Sequence, residues 1–288
     1  MKRQALIDLA AAGTVLLDGA TGSNLRAAGM PVGVPPELWV LEHPQVLLAL
    51  QRDYVAAGSR VLCAPTFSAN RLYLERFGLE ERLGELNAAL VALSREAAGG
   101  RALVAGDLPT LGQPLEPAGT LSYSRAYDLY REQAEALAEA GADLLAVETL
   151  MGADEALAAL DAAAGCGLAV VCTFSAEADG ALPFGGSARD GAAALEELGA
   201  AAVGINCSVG PDQLEAVVRS LAQAVHIPVA AKPNAGLPVM DEAGRARYGM
   251  GPEDFARHML ALRAAGASLL GGCCGSTPAY IRRLAALL

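Results

Sequence analysis

Lysine is nearly absent from this chain: Lys2 and Lys232 are the only two among 288 residues, and the other cations are arginines. With 21 Lys and Arg against 32 Asp and Glu, the net charge is −11. A balance this acidic excludes the basic face that nucleic acid or an anionic membrane surface requires. The surplus carboxylates fall mostly on helical faces, where they serve solubility. No uncharged apolar run of about 18 residues is present, so no membrane span is expected. Met1-Lys2-Arg3-Gln4 opens a short amphipathic stretch without the apolar segment of a secretory leader, and the expected compartment is the cytoplasm. Six cysteines outside a secretory context read as thiols or ligands rather than a disulfide framework. Aromatics make up 5% and Trp39 is the one tryptophan, too few for an aromatic cage around a quaternary ammonium. His43 and His226 stand at a helix start and in a turn, and His258 lies within a helix. None ends a strand, which argues against a histidine ligand or base.

What the chain does have is a repeated unit: an Ala-rich helix, a small-residue break, then a short β-rich run. The pattern predicts strands over Val15–Asp18, Val61–Ala64, Ala102–Gly106, Leu144–Glu148, Ala169–Phe174, Val203–Cys207, Val229–Ala231 and Ser268–Gly272. Continuous apolar strands belong to a parallel sheet covered on both faces. Eight βα units in about 250 residues predict one α/β domain over residues 1–288, a (β/α)8 TIM barrel. An open doubly wound sheet is the alternative. The long connections Gly19–His43, Asp107–Ser122, Ser175–Ser187 and Lys232–Gly251 all follow strands, and barrel enzymes build their sites from those loops.

The strand ends carry the chemistry. Cys207 closes one strand in Gly204-Ile205-Asn206-Cys207-Ser208, and Cys273-Cys274 follow another in Gly271-Gly272-Cys273-Cys274-Gly275. These strands are second neighbours in a barrel, about 10 Å apart, a gap that inward-leaning side chains can close around a common ion. Three thiolates without an obvious fourth ligand describe zinc with one open coordination position at the C-terminal face, suited to a substrate thiol. A vicinal disulfide or packed small residues are the alternatives, but neither accounts for the flanking glycines. Cys63, Cys166 and Cys172 read as core residues. Glu148 ends an apolar strand and needs a cationic partner, either a substrate ammonium or a nearby arginine. Asp18-Gly19-Ala20 offers turn amides to a substrate carboxylate, or is a plain βα turn. Asn206 and Asn234 are either polar groups orienting the site or turn formers. Ser187 and Thr277 read as helix caps.

The motifs Asp18-Gly19-Ala20, Gly204-Ile205-Asn206-Cys207-Ser208, Pro233-Asn234-Ala235-Gly236 and Gly271-Gly272-Cys273-Cys274-Gly275-Ser276-Thr277-Pro278 resemble the homocysteine S-methyltransferase family over essentially the whole chain. Within it, Pro36-Glu37, Ala64-Pro65-Thr66-Phe67-Ser68-Ala69-Asn70, Gly106-Asp107 and Ala142–Thr149 are similar to the homocysteine-binding module of cobalamin-dependent methionine synthase. The folate-binding barrel and cobalamin domains of that enzyme are not expected in residues 1–288. Ala64-Pro65 departs from the usual Thr-Asn-Thr-Phe motif. Leu108 stands where a glycine usually precedes Pro109.

The resemblance implies a zinc-dependent barrel in which Cys207, Cys273 and Cys274 hold Zn2+, while Asp18, Gly19, Ala20 and Glu148, with Asn206 and Asn234 beside them, hold homocysteine. It implies methyl transfer to the homocysteine thiol, giving methionine. The expected donor is methylcobalamin on a separate corrinoid protein. S-methylmethionine and S-adenosylmethionine are the alternatives, as is a non-catalytic subunit that binds homocysteine and zinc.

Overall fold

The computed structural model describes residues 1–241 and 246–288. Its strands are β1 (Val15–Leu16), β2 (Val61–Cys63), β3 (Leu103–Pro109), β4 (Leu144–Leu150), β5 (Val170–Phe174), β6 (Ala202–Cys207), β7 (Val229–Pro233), β8 (Pro238–Met240), β9 (Ala246–Tyr248) and β10 (Ala267–Leu270). Eight of them form one parallel sheet in the order β1-β10-β7-β6-β5-β4-β3-β2. A parallel bridge between Leu17 and Val61 joins the two ends, assisted by the Arg60 N–H bond to Leu16 O at 2.7 Å. The result is the expected barrel, with helices packed outside it.

Two features differ from the expectation. Asp18 lies beyond β1, because its carboxylate, not its backbone, bonds to the second strand: Oδ2 accepts from the Cys63 N–H at 2.8 Å. The connection after β7 holds an antiparallel hairpin, β8 paired with β9, whose three-residue strands are too short and too exposed to carry an apolar pattern. Residues 242–245 of the Lys232–Gly251 connection lie outside the described residues. Ser187 and Thr277 cap their helices, accepting from the N–H groups of Asp190 (3.1 Å) and Ala279 (3.3 Å). Among the described residues no helix is long and apolar enough to cross a membrane.

Alternation along the strands creates two cores. Leu16, Leu62, Val104, Leu145, Val170, Val203 and Leu270 point outward and pack with the helices. Leu17, Val61, Ala105, Leu144, Val171, Ala202, Ala230 and Leu269 point inward and meet one another, as the two-residue period of a strand requires. Leu6, from the N-terminal helix Arg3–Ala11, is fully buried against this inner set. The lower barrel is therefore filled by apolar side chains, and only its C-terminal end is free for polar ones.

Gly204 fits this interior because nothing larger does. A Cβ there would collide with the Ala230 backbone oxygen of β7. Gly204→Ala should therefore cost about 1–3 kcal/mol by overpacking between two strands. Urea denaturation checks this, and an unchanged midpoint would refute it.

Candidate active site

The inward parity continues upward and changes character. Two residues above the apolar layer stand Cys63 on β2, Asp107 on β3, Thr173 on β5 and Lys232 on β7; Glu148 occupies the same inward face of β4. Lys232 Nζ lies 2.9 Å from Glu148 Oε2, 3.8 Å from Asp18 Oδ1 and 3.4 Å from Cys63 Sγ. Its side chain is 8% exposed. Burial opposes its charge, yet Cys63, Glu148, Asp18 and Asp107 outweigh that penalty and hold the ammonium above its ordinary range. Burial pushes the Asp18 carboxyl up to about 6, against the pull of Lys232 and the Cys63 amide. Asp107 is pushed well up, first by burial and then by Glu148.

Cys207 breaks the alternation. Asn206 beside it points inward, so a regular strand would turn Cys207 away from the mouth. Instead Cys207 and Ser208 adopt left-handed backbones, φ 58° and 55°. Such residues cost about 1–3 kcal/mol each and persist only where neighbours fix them. Asn206, with 0% exposure, does so. Its Oδ1 accepts from the Thr149 N–H (2.8 Å) and the Thr173 hydroxyl (2.9 Å), and its Nδ2 donates to Thr149 Oγ1 (2.9 Å). Thr149 is itself left-handed, φ 64°. Asn234 Nδ2 holds the other side of the turn through Ser208 O at 2.9 Å.

The opposing loop is shaped by small residues. Gly272 N–H donates to Asp18 O at 2.9 Å, Cys273 N–H to Pro233 O at 2.7 Å, and Ala235 N–H to Cys274 O at 2.9 Å. Gly275 is left-handed, φ 83°, and the Tyr248 ring from β9 occupies the space a Cβ would need. The outcome is that the sulfurs of Cys207, Cys273 and Cys274 all lie within 4.8 Å of one another. Three corners of a tetrahedron with metal–sulfur bonds of about 2.3 Å fit inside that limit, so the triad can hold a metal ion.

Proton sharing within the triad is uneven. Hydrogen bonds from Cys207 and Cys273, then from Tyr248, draw Cys274 down to about 3. Cys207 is lowered by Cys273, but donation to Cys274 and burial push it up to about 11. Cys273, bonded to both neighbours and buried, is pushed well above the ordinary thiol range.

Triad and charged floor face one cavity of about 260 Å³, walled by Gly19 to Ser23, by Ala64, Pro65, Phe67 and Ser68, and by Thr149 and Gly272. Gly19, Ala20, Glu148 and the three cysteines all line it. The Asp18 carboxylate lies behind Gly19, and Ala20 N–H already donates to Ser276 Oγ at 3.1 Å. Neither Asn206 nor Asn234 lines the cavity; both brace the Cys207–Ser208 turn, the role the sequence left open beside substrate contact. Cys63, read as core, instead forms part of the cavity wall because Val61 and Cys63 share the inward face of β2. Glu148 finds its internal cation in Lys232 rather than in an arginine. Cys166 and Cys172 remain away from the site.

The sequence offered Glu37, in the helix Pro36–Glu42, only as part of a motif and gave it no role. Buried at the cavity wall, it accepts from the Ser68 N–H at 2.6 Å and holds the loop after β2. The available signal for Asp107 and Lys232 was inward parity continued one residue past the expected strands, which the structure extends to Pro109 and Pro233. Nothing local marked Tyr248, whose contact depends on the hairpin.

Removing the one cation of the floor has a defined cost. Lys232→Met should lose about 3–5 kcal/mol at about pH 8, because buried carboxylates are left uncompensated. The deficit should shrink as the pH falls through about 6, where Asp18 takes up a proton and no longer needs the pair. Denaturation midpoints of both proteins across pH check the sign; a pH-independent deficit would contradict it.

A family model described as homocysteine S-methyltransferase matches residues 15–288. The methionine synthase of Mycobacterium tuberculosis is 31% identical over 300 residues, covering 98% of this chain and 25% of that protein. The methionine synthase of Mycobacterium leprae is 30% identical, with the same coverage. The chain thus spans about a quarter of the length of the curated relatives it matches. The metallated form of the homocysteine methyltransferase MmuM from Escherichia coli superimposes with a TM-score of 0.82 at 28% identity, covering 96% of both chains. With its barrel, its thiol triad and a match over nearly its full length, the chain belongs to the homocysteine S-methyltransferase family.

Proposed function

We propose that this chain transfers a methyl group to the thiol of L-homocysteine, giving methionine, with Zn2+ held by Cys207, Cys273 and Cys274. The observation that carries the reading is three thiols and a buried charged floor in one amino-acid-sized cavity. A free thiol with a pKa of about 8.5 is only a few per cent ionised at neutral pH. Cys207, Cys273 and Cys274 would hold the ion, which would supply the Lewis acidity that ionises a bound thiol and keeps its sulfur nucleophilic. The thiol proton goes to solvent. The sulfur's electron pair then forms the S–CH3 bond as the donor–CH3 bond breaks, its pair leaving with the donor.

The protein's own part is alignment. Asn206 and Asn234 fix the turn that aims Cys207 at its partners. Glu148, oriented by Lys232, and the Gly19–Ala20 wall lie where the amino-acid end of homocysteine would rest. The donor is a methylcorrinoid presented by a separate protein. Leu237, Val239 and Met240, 53–67% exposed after β7, and Val32, 88% exposed after β1, give the C-terminal face an apolar rim, as a protein–protein contact prefers.

Zinc-loaded protein should form methionine from homocysteine with methylcobalamin and not with S-methylmethionine, by direct product assay. Turnover with the sulfonium alone overturns the donor assignment. Homocysteine binding without turnover on any donor makes the chain a binding subunit. Cys207→Ala, Cys273→Ala and Cys274→Ala should each lose zinc, measured by atomic absorption, and turnover with it; full activity in a metal-free variant would sink the mechanism. Thiol protons must leave when metal enters, so apparent zinc affinity should fall steadily as the pH is lowered through the neutral range. Chelator competition across neutral pH checks that slope.

A further inference from the structure

Ala20 in the cavity wall and Ser276 in the loop after β10 are 256 residues apart in sequence yet directly bonded. Ala20 N–H donates to Ser276 Oγ at 3.1 Å, and that hydroxyl gives its single proton to Cys273 O at 2.8 Å. Asn24 Nδ2 ties the same two segments from the other side, donating to Ala20 O at 2.7 Å and to Ser276 O at 2.9 Å. The buried Tyr54 hydroxyl adds a bond to Ala20 O at 2.9 Å. Ser276 is itself fully buried, and two glycines close on its hydroxyl: a Cβ on Gly19 or on Gly272 would collide with Oγ. The hydroxyl has no room to turn, so its donor and acceptor roles are fixed. One end of this chain of bonds is the wall that would take an amino acid. The other is the carbonyl of a metal-ligating cysteine.

We propose that Ser276 is a positioning residue whose hydroxyl couples the metal loop to the acceptor wall, so that metal and bound amino acid strengthen each other's binding. That role rests on the reading of Gly19–Ala20 as the seat of the amino-acid end, and adds how the seat communicates with the triad. Without an ion, the three sulfurs hydrogen-bond to one another. An ion in the triad replaces those bonds with its own and stiffens Cys273. The Cys273 carbonyl then holds the Ser276 hydroxyl, and the hydroxyl holds Ala20 N–H. Order imposed at one end need not be imposed again at the other, which gives positive coupling without a change of shape. Chained hydrogen bonds also polarise one another, so the N–H, hydroxyl and carbonyl act as one unit. A thiol substrate joins seat and metal through its own sulfur as well. An amino acid without sulfur isolates the route through the protein.

The probe is therefore L-2-aminobutanoate, which has the carbon skeleton of homocysteine and no thiol. Zinc affinity is measured by chelator competition with and without saturating aminobutanoate, and aminobutanoate affinity by calorimetry with and without zinc. Wild type should show one and the same factor both ways, as linkage requires, of about fivefold or more. Ser276→Ala should bring that factor below about twofold. Thr277→Ala, which removes the neighbouring helix cap and leaves the hydroxyl chain intact, should keep it. Hydrogen exchange gives a second reading: zinc should slow the Ala20 amide in wild type and not in Ser276→Ala. Asn24→Ala, at a half-buried site, cuts the parallel tie and should lower the factor even where Ser276→Ala does not fold. Wild type without coupling, or an unchanged factor in either folded variant, overturns the proposal. So does a Thr277→Ala that loses the factor as fully as Ser276→Ala, since loosening of the loop alone would then suffice. Aminobutanoate that binds neither with zinc nor without it removes the amino-acid seat and this role of Ser276 together, and leaves methyl transfer to a thiol standing.

Discussion

The ion cluster around Lys232 is the interaction on which the upper half of the barrel depends. A parallel barrel normally fills its interior with apolar layers, and here the lower part does so, stoppered by Leu6. Above that layer the same inward positions become cysteine, aspartate, glutamate and lysine. A single ammonium then stands against carboxylates from the β1 end, β3 and β4. Without it the carboxylates would have to protonate or the strands part. With it, a polar cavity can sit directly on an apolar plug.

The thiol triad depends on a second constraint, which is conformational rather than electrostatic. Alternation alone would have placed Asn206 and Cys207 on opposite faces of β6. The left-handed turn at Cys207 and Ser208 brings the sulfur back to the mouth, and the amide of Asn206 fixes both that turn and the matching one at Thr149. The loop after β10 meets it with glycines, one of them shielded by Tyr248. Charge on the floor and conformation at the rim are separate problems, solved by different residues.

Most of the barrel was legible because each strand is a short apolar run between a helix and a small-residue break. The three cysteines were legible because strand ends in a barrel converge and thiols at second-neighbour strands can share an ion. Asp107 and Lys232 were harder to read. Their meaning lies in which face of the strand they occupy, and a continuous apolar run conceals parity. Asn206 and Asn234 were visible as polar groups near the thiol triad, yet their bonds to Thr149, Thr173 and Ser208 depend on distances no spacing rule supplies. The hairpin β8–β9, with its tyrosine against Cys274, left no periodic trace because six residues of exposed strand bury almost nothing.

The Asn206–Thr149 clamp also bears on how portable this centre is. Three cysteines written at matching strand ends of another barrel would reproduce the composition of the site but not its convergence, since an unsupported left-handed cysteine would relax toward the extended backbone. A transplant would have to carry the amide on β6 and its threonine on β4, two strands away, together with Thr173 between them. The smallest unit that can be moved is therefore strands β4 to β6 with Asn234 after β7 and the glycine loop after β10, rather than a list of ligands.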